Sequence, residues 1–129
     1  MEEFSGREKR RYDRVYFNPN DDVTGRFHFP DSPDGIFEAK ILNLSIGGMY
    51  FTAKRDADLN FQTNDIVILK EIQTSINFHL DISVTLKVRR VQNHEIVEFV
   101  GYGCEFVEIN DSDLAQVDKL VNWGLKERA

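Results

Sequence analysis

From residue 76 to 89 the chain alternates without a break: Ile76, Phe78, Leu80, Ile82, Val84, Leu86 and Val88 are apolar, and Asn77, His79, Asp81, Ser83, Thr85, Lys87 and Arg89 are polar. A period of two puts one face of a strand in a core and the other in water. The run is longer than an ordinary strand. It predicts either one strand curling round a barrel or two strands meeting at a bend. Shorter runs read the same way at Val23–Phe29, Ile36–Leu42, Met49–Ala53, Ile66–Ile72 and Ile96–Val107. Together they make about six strands between residues 22 and 109, with Pro33-Asp34-Gly35 as a turn signal before the second. The connections are short and rich in Asp, Asn, Ser and Gly, so neighbouring strands are expected to be antiparallel. A small closed or nearly closed barrel buries such faces without leaving adhesive edges.

The period changes near the end. Asn110-Asp111-Ser112-Asp113 offers several N-caps and an acidic first turn, and Leu114, Val117, Leu120, Val121 and Leu125 then recur at helical spacing. This predicts one amphipathic helix over residues 111–125, covering an end or seam of the barrel. Trp123 reads either as core or as an exposed anchor. Residues 1–15 show neither period and are expected to form a polar arm. No repeat or linker divides the chain, so the expectation is all-β with a C-terminal helix, in a single domain spanning 1–129.

Composition narrows the class. With 129 residues, 41% hydrophobic and 29% charged, the chain has room for one core and is neither low-complexity nor collagen-like. No apolar run reaches the roughly 20 residues of a membrane-spanning helix. The opening MEEFSGREKRRYDR has no apolar stretch to suggest a secretory signal, and a lone cysteine, Cys104, rules out an internal disulfide. Cytoplasmic localisation, no membrane insertion and a monomer are therefore expected. The net charge is −6, yet residues 7–14 (REKRRYDR) carry a local +3, which leaves −9 for the rest. A basic patch on an acidic body suits a small specific anion better than a nucleic-acid polymer, although many basic tails are merely solvated.

Catalytic candidates are few. His28, His79 and His94 stand far apart with no metal-ligand spacing, and His79 falls on the wet face of the alternating run, as an exposed surface histidine. Cys104 shares a face with Tyr102 and Phe106 and reads as a buried structural thiol. No nucleophile elbow, phosphate loop or dinucleotide fingerprint occurs. The chain is not expected to be an enzyme, nor to need a metal or cofactor.

Two segments stand out: Arg10-Arg11-Tyr12-Asp13-Arg14, with arginines spaced RxxxR at 10 and 14, and Asn43-Leu44-Ser45-Ile46-Gly47-Gly48, an NxSxxG pattern between strands. Each alone is weak. The two together, about thirty residues apart on a six-stranded barrel, resemble the PilZ domain, a family of bacterial receptors for the second messenger cyclic di-GMP. Tyr102-Gly103-Cys104-Glu105-Phe106 is similar to the family's aromatic-glycine strand, and the closing helix also fits, so the resemblance runs from about Arg7 to Trp123.

The resemblance implies a ligand and a site. Cyclic di-GMP is a dianion with two guanines. A guanidinium grips the guanine O6 and N7 edge with two donors, a contact worth about 1–3 kcal/mol of base discrimination. A second guanidinium stacks on a purine or binds phosphate, which lysine does less well. Arg10 and Arg14 match the motif arginines, and Arg11 is an additional one. Asn43 stands where the family has Asp or Asn, facing a guanine edge. Being neutral, it forgoes a charge-assisted bond to the guanine donors. Ser45 is expected to bond to the ligand or to its own turn, and Gly48, with Gly47 as a further candidate, to let backbone approach the ligand. Lys9, just before the first motif arginine, is where the family tunes one nucleotide against a stacked pair. Lys87, Arg89 and Arg90 are further geometric candidates.

The resemblance also implies a mechanism in which ligand orders the arginine arm against the barrel and so changes the surface offered to an effector protein, with a motility, biofilm, exopolysaccharide or virulence output. A rival reading is a PilZ-like interaction adaptor that binds no nucleotide. A third is a barrel that stacks single-stranded nucleic acid on its aromatic residues. Phe27, Phe29, Phe78 and Phe106 are, however, expected to face the core.

Overall fold

A computed structural model describes residues 12–55, 59–93 and 98–127, with the backbone alone at Pro33. Seven strands and a helix follow in order: β1 (Val15–Tyr16), β2 (Thr24–Phe29), β3 (Ser32–Leu44), β4 (Gly48–Lys54), β5 (Ile66–Gln73), β6 (His79–Gln92), β7 (Phe99–Glu108) and α1 (Asp111–Glu127). Every pairing is antiparallel. The sheet runs β3-β2-β5-β6-β7-β4 and closes through β3–β4, so six strands make the barrel, and β1 adds to the far end of β3. Closure leaves none of the six with an open edge.

The long alternating run is one strand, and it begins later than the pattern suggests. Asn77 takes a left-handed φ of 65°. The Thr74 hydroxyl accepts hydrogen bonds from the Ile76 and Phe78 amides and so holds a turn there. A side chain that offers the backbone local bonds competes with a ladder. The chain reversal before β3 falls at Pro30-Asp31, where Phe29 pairs with Ser32, rather than at Pro33-Asp34-Gly35. Those three residues form an irregularity within β3, between the His28↔Ile36 and Phe29↔Ser32 pairs. β1 is a further difference, because the polar arm expected over 1–15 already enters the sheet at its last residue. Val15 is 1% exposed and pairs with Leu44.

The interior is aromatic. Phe27, Phe37 and Phe51 stack with ring centroids 4.6–6.2 Å apart, and Phe29, Phe61 and Tyr102 extend the cluster. Phe27 and Phe51 are fully buried, and Phe29, Phe78 and Phe106 pack against the same core from its margin. Rings committed to a core are not a stacking platform for nucleic acid. The helix runs two residues further than expected, to Glu127, 17 residues in all. The Asn110 side chain caps it by accepting from the Asp113 amide at 2.7 Å, and buried Asp113 accepts from the Ser83 amide of β6 at 3.0 Å. Val117, Leu120 and Val121 face the barrel, and Trp123 packs half-buried on Phe78 at 5.9 Å. Among the described residues no helix is long and apolar enough to cross a membrane.

Candidate functional site

The helix and β1 together fix one wall of a groove. Gly124 of α1 lies so close to Val15 that a Cβ would come within 2.1 Å of its Cγ2. Helix backbone thus presses β1 onto β3, where Tyr16 pairs with Asn43 and the Phe17 amide donates to the Leu42 carbonyl at 3.0 Å. This brings Arg14, the residue before β1, alongside the turn that follows β3. Residues about thirty apart in sequence become neighbours because β1 runs back along the strand that ends in the second motif.

The turn from 45 to 48 is held by its own serine. The Ser45 amide donates to the Gly48 carbonyl at 2.9 Å, and the Ser45 hydroxyl accepts from the Gly47 amide at 3.1 Å. The Gly47 carbonyl accepts from the Phe106 amide at 2.9 Å, which ties the turn to β7. Of the two roles open to Ser45, the turn is the one it fills in this structure. The glycines also have local reasons. A Cβ on Gly47 would lie 2.4 Å from Cδ2 of Tyr12, and one on Gly48 would lie 2.3 Å from the carbonyl oxygen of Cys104. Gly48 therefore admits the neighbouring strand, and Gly47 seats the tyrosine of the first motif.

Between these elements is an open groove of about 440 Å³, lined by Tyr12, Arg14, Ser45, Gly47, Gly48, Met49, Tyr50, Arg89, Arg90, Gly103, Cys104 and Glu105. The structure thus gathers four candidate positions, Arg14, Ser45, Gly47 and Gly48, around one cavity, which Arg89 and Arg90 also line. Asn43 does not line it. Its side chain is 7% exposed beneath the turn, and its Oδ1 has no hydrogen-bond partner among the described residues. Lys87 does not line it either. Lys9, Arg10 and Arg11 lie outside the described residues, as does His94.

Charge in the groove is predominantly positive. Arg89 pairs with Glu105, while Arg14 and Arg90 make no ion pair among the described residues. Burial raises the Tyr50 hydroxyl above its ordinary value, with Arg90 opposing, and that hydroxyl donates to Gln92. Burial pushes the Cys104 thiol up to about 12, so it stays protonated and serves as apolar lining. Sequence reasoning misses Tyr12, Tyr50 and Gly103. Tyr12 is legible in principle, lying between the motif arginines. The Tyr50↔Gly103 pair needs the β4–β7 register.

At the other end of β6, Glu71, His79 and Asp81 place three donor atoms within 4.8 Å of one another. Glu71 is engaged by Arg26 at 3.2 Å and by the Gln73 side-chain amide at 3.1 Å, and it also contacts His79. These contacts, the Gln73 and His79 hydrogen bonds foremost, lower its pKa. The exposed histidine expected from the pattern is thus a member of a surface charge cluster remote from the groove.

The PilZ domain family model matches residues 8–123. No curated protein matches the sequence closely enough to count as a relative. Among solved structures, the fold is similar to the PilZ domain of Escherichia coli YcgR with c-di-GMP, at a TM-score of 0.71 and 12% identity, covering 93% of this chain and 94% of that one. It is also similar to K. pneumonia MrkH in a c-di-GMP complex (0.72, 14% identity, 92% of this chain and 53% of that) and to the Bacillus subtilis inhibitor of motility MotI/DgrA (0.67, 19% identity, 92% and 51%). The chain spans about half the length of the last two.

Proposed function

Because this chain belongs to the PilZ domain family, we propose that it is a receptor for cyclic di-GMP and not a catalyst. The observation that carries the reading is the groove that unites Arg14 of the RxxxR segment with Ser45, Gly47 and Gly48 of the NxSxxG segment. The c-di-GMP complexes of YcgR and MrkH, which share the fold, support the choice of ligand.

In this reading Arg14, with Arg10 and Arg11, meets guanine edges and phosphate oxygens through planar, two-pronged donors. Ser45 holds the turn so that backbone faces the ligand. The buried Oδ1 of Asn43, unpartnered among the described residues, is an acceptor for the N1–H and N2–H₂ donors of a guanine that reaches beneath the turn. Lys9 tunes the number of nucleotides bound. Binding adds Arg10 and Arg11 to the contacts that Tyr12 and Arg14 already make at the barrel and so changes the surface offered to an effector protein, with motility, biofilm, exopolysaccharide or virulence as the class of output. No residue selects among these.

The test is calorimetric titration with cyclic di-GMP, with GMP and cyclic di-AMP as controls. Saturable heat with cyclic di-GMP alone supports the receptor. A flat trace from a folded sample overturns it and leaves a PilZ-like adaptor that works through protein contacts.

A further inference from the structure

The second basic wall of the groove comes from a defect in a strand, and neither motif supplies it. Along most of β6 side chains alternate, with Val84, Leu86 and Val88 pointing into the core. The register then slips: Val88 stands opposite Cys104 and Arg90 opposite Gly103, leaving Arg89 as the inserted residue. A bulge breaks the in-out alternation and re-aims side chains. Here it turns two successive arginines, both exposed, onto the same groove.

Their situations differ. Arg89 lies with Nε and Nη2 at 2.7 and 2.6 Å from a single oxygen of Glu105, on the facing strand. Arg90 makes no ion pair or side-chain hydrogen bond among the described residues. It stands beside Gly103, where a Cβ would lie 3.7 Å from Arg90 Cβ and 3.7 Å from Tyr50 Cδ1, so the absent side chain leaves the floor between them bare. The groove therefore presents two guanidiniums from separate elements, Arg14 before β1 and Arg90 on β6, that make no ion pair among the described residues, together with a carboxylate already neutralised by a neighbour.

We propose that Arg90 is the phosphate-binding residue of the β6–β7 wall, and that Glu105 holds Arg89 back as a neutral pair. This rests on the cyclic di-GMP reading. The ligand carries two phosphodiesters on opposite sides of its ring, and a groove with guanidiniums from two separate elements meets both. Glu105 alone would repel such a dianion, and its pairing with Arg89 removes that repulsion at the cost of one possible ligand contact.

The test titrates cyclic di-GMP into the wild-type protein and into Arg14→Ala, Arg90→Gln and Glu105→Gln at low and moderate salt, with melting curves to establish folding. Arg90→Gln is expected to weaken binding about tenfold or more, the loss of one charged hydrogen-bonding group, and to flatten the salt dependence. Glu105→Gln is expected to tighten binding about threefold, because it deletes a negative charge and frees Arg89. If Arg14→Ala loses binding while Arg90→Gln titrates like wild type, the Arg90 assignment is overturned and the receptor reading stands. If Glu105→Gln weakens binding, the role given to the Arg89–Glu105 pair is overturned. If the wild-type protein itself gives no heat, the receptor reading is overturned, and this inference with it.

Discussion

Gly48 faces the carbonyl oxygen of Cys104 across the β4–β7 seam so closely that a Cβ would stand 2.3 Å from it. The contact is with backbone, which cannot swing aside as a side-chain end would. Gly48→Ala must open the seam and is expected to cost about 1–3 kcal/mol of stability. Urea unfolding measures it, and an unchanged midpoint would show that β4 and β7 can separate freely here.

Gly47→Ala makes a contrasting case. Its Cβ would meet the ring of Tyr12, 2.4 Å from Cδ2, and Tyr12 is an exposed side chain at the edge of the fold. The ring can move, so the melting temperature is expected to change little. Cyclic di-GMP affinity is expected to fall, because the two motif segments meet at this contact. Paired melting and titration experiments separate the effects, and loss of stability without loss of affinity would contradict the expectation.

Asn43→Asp places a carboxylate where the present side chain is 7% exposed and its Oδ1 has no partner among the described residues. Burial without a partner raises a carboxyl pKa above the unfolded value of about 3.9. The folded state then holds its proton more tightly, so stability relative to wild type is expected to fall as pH rises above about 4. Melting at pH 4 and pH 7 should show a gap that widens at the higher pH. Saturating cyclic di-GMP, whose guanine donors would satisfy the charge, should narrow it. An equal gap at both pH values without ligand would contradict the burial argument.

Cys104 carries the same sign. Burial pushes its pKa from 9.0 up to about 12, so the unfolded chain releases this proton first. Its contribution to stability is present below about pH 9 and is lost progressively towards pH 12. At pH 8 the native thiol is expected to resist disulfide reagents and to react fully in denaturant. Rapid reaction of the native protein would show the thiol to be open to the groove.

Much of this architecture is legible because two periods dominate the sequence. The alternation of residues 76–89 and the spacing of Val117, Leu120 and Val121 specify the barrel and its helix. What escapes the pattern is local chemistry that overrides it. Thr74 and Asn77 shorten β6 through a side-chain-held turn and a left-handed residue. β1 is two residues long, too short to show a period, and depends on Gly124 giving Val15 room. The site is half legible. Arg14, Ser45, Gly47 and Gly48 follow from motif spacing, but a bulge is an offset between two strands. One strand's sequence cannot show that Arg89 and Arg90 both turn to the groove.

The central claim is that cyclic di-GMP binds in the groove lined by Arg14, the 45–48 turn and Arg90, and amide chemical-shift mapping by NMR tests it most directly. On titration with cyclic di-GMP, the largest shifts are expected at Arg14, Ser45, Gly47, Gly48, Arg90 and Gly103, with Glu71, His79 and Asp81 at the other end of β6 unmoved. Shifts centred on that remote cluster, or none at saturating nucleotide, would contradict the account.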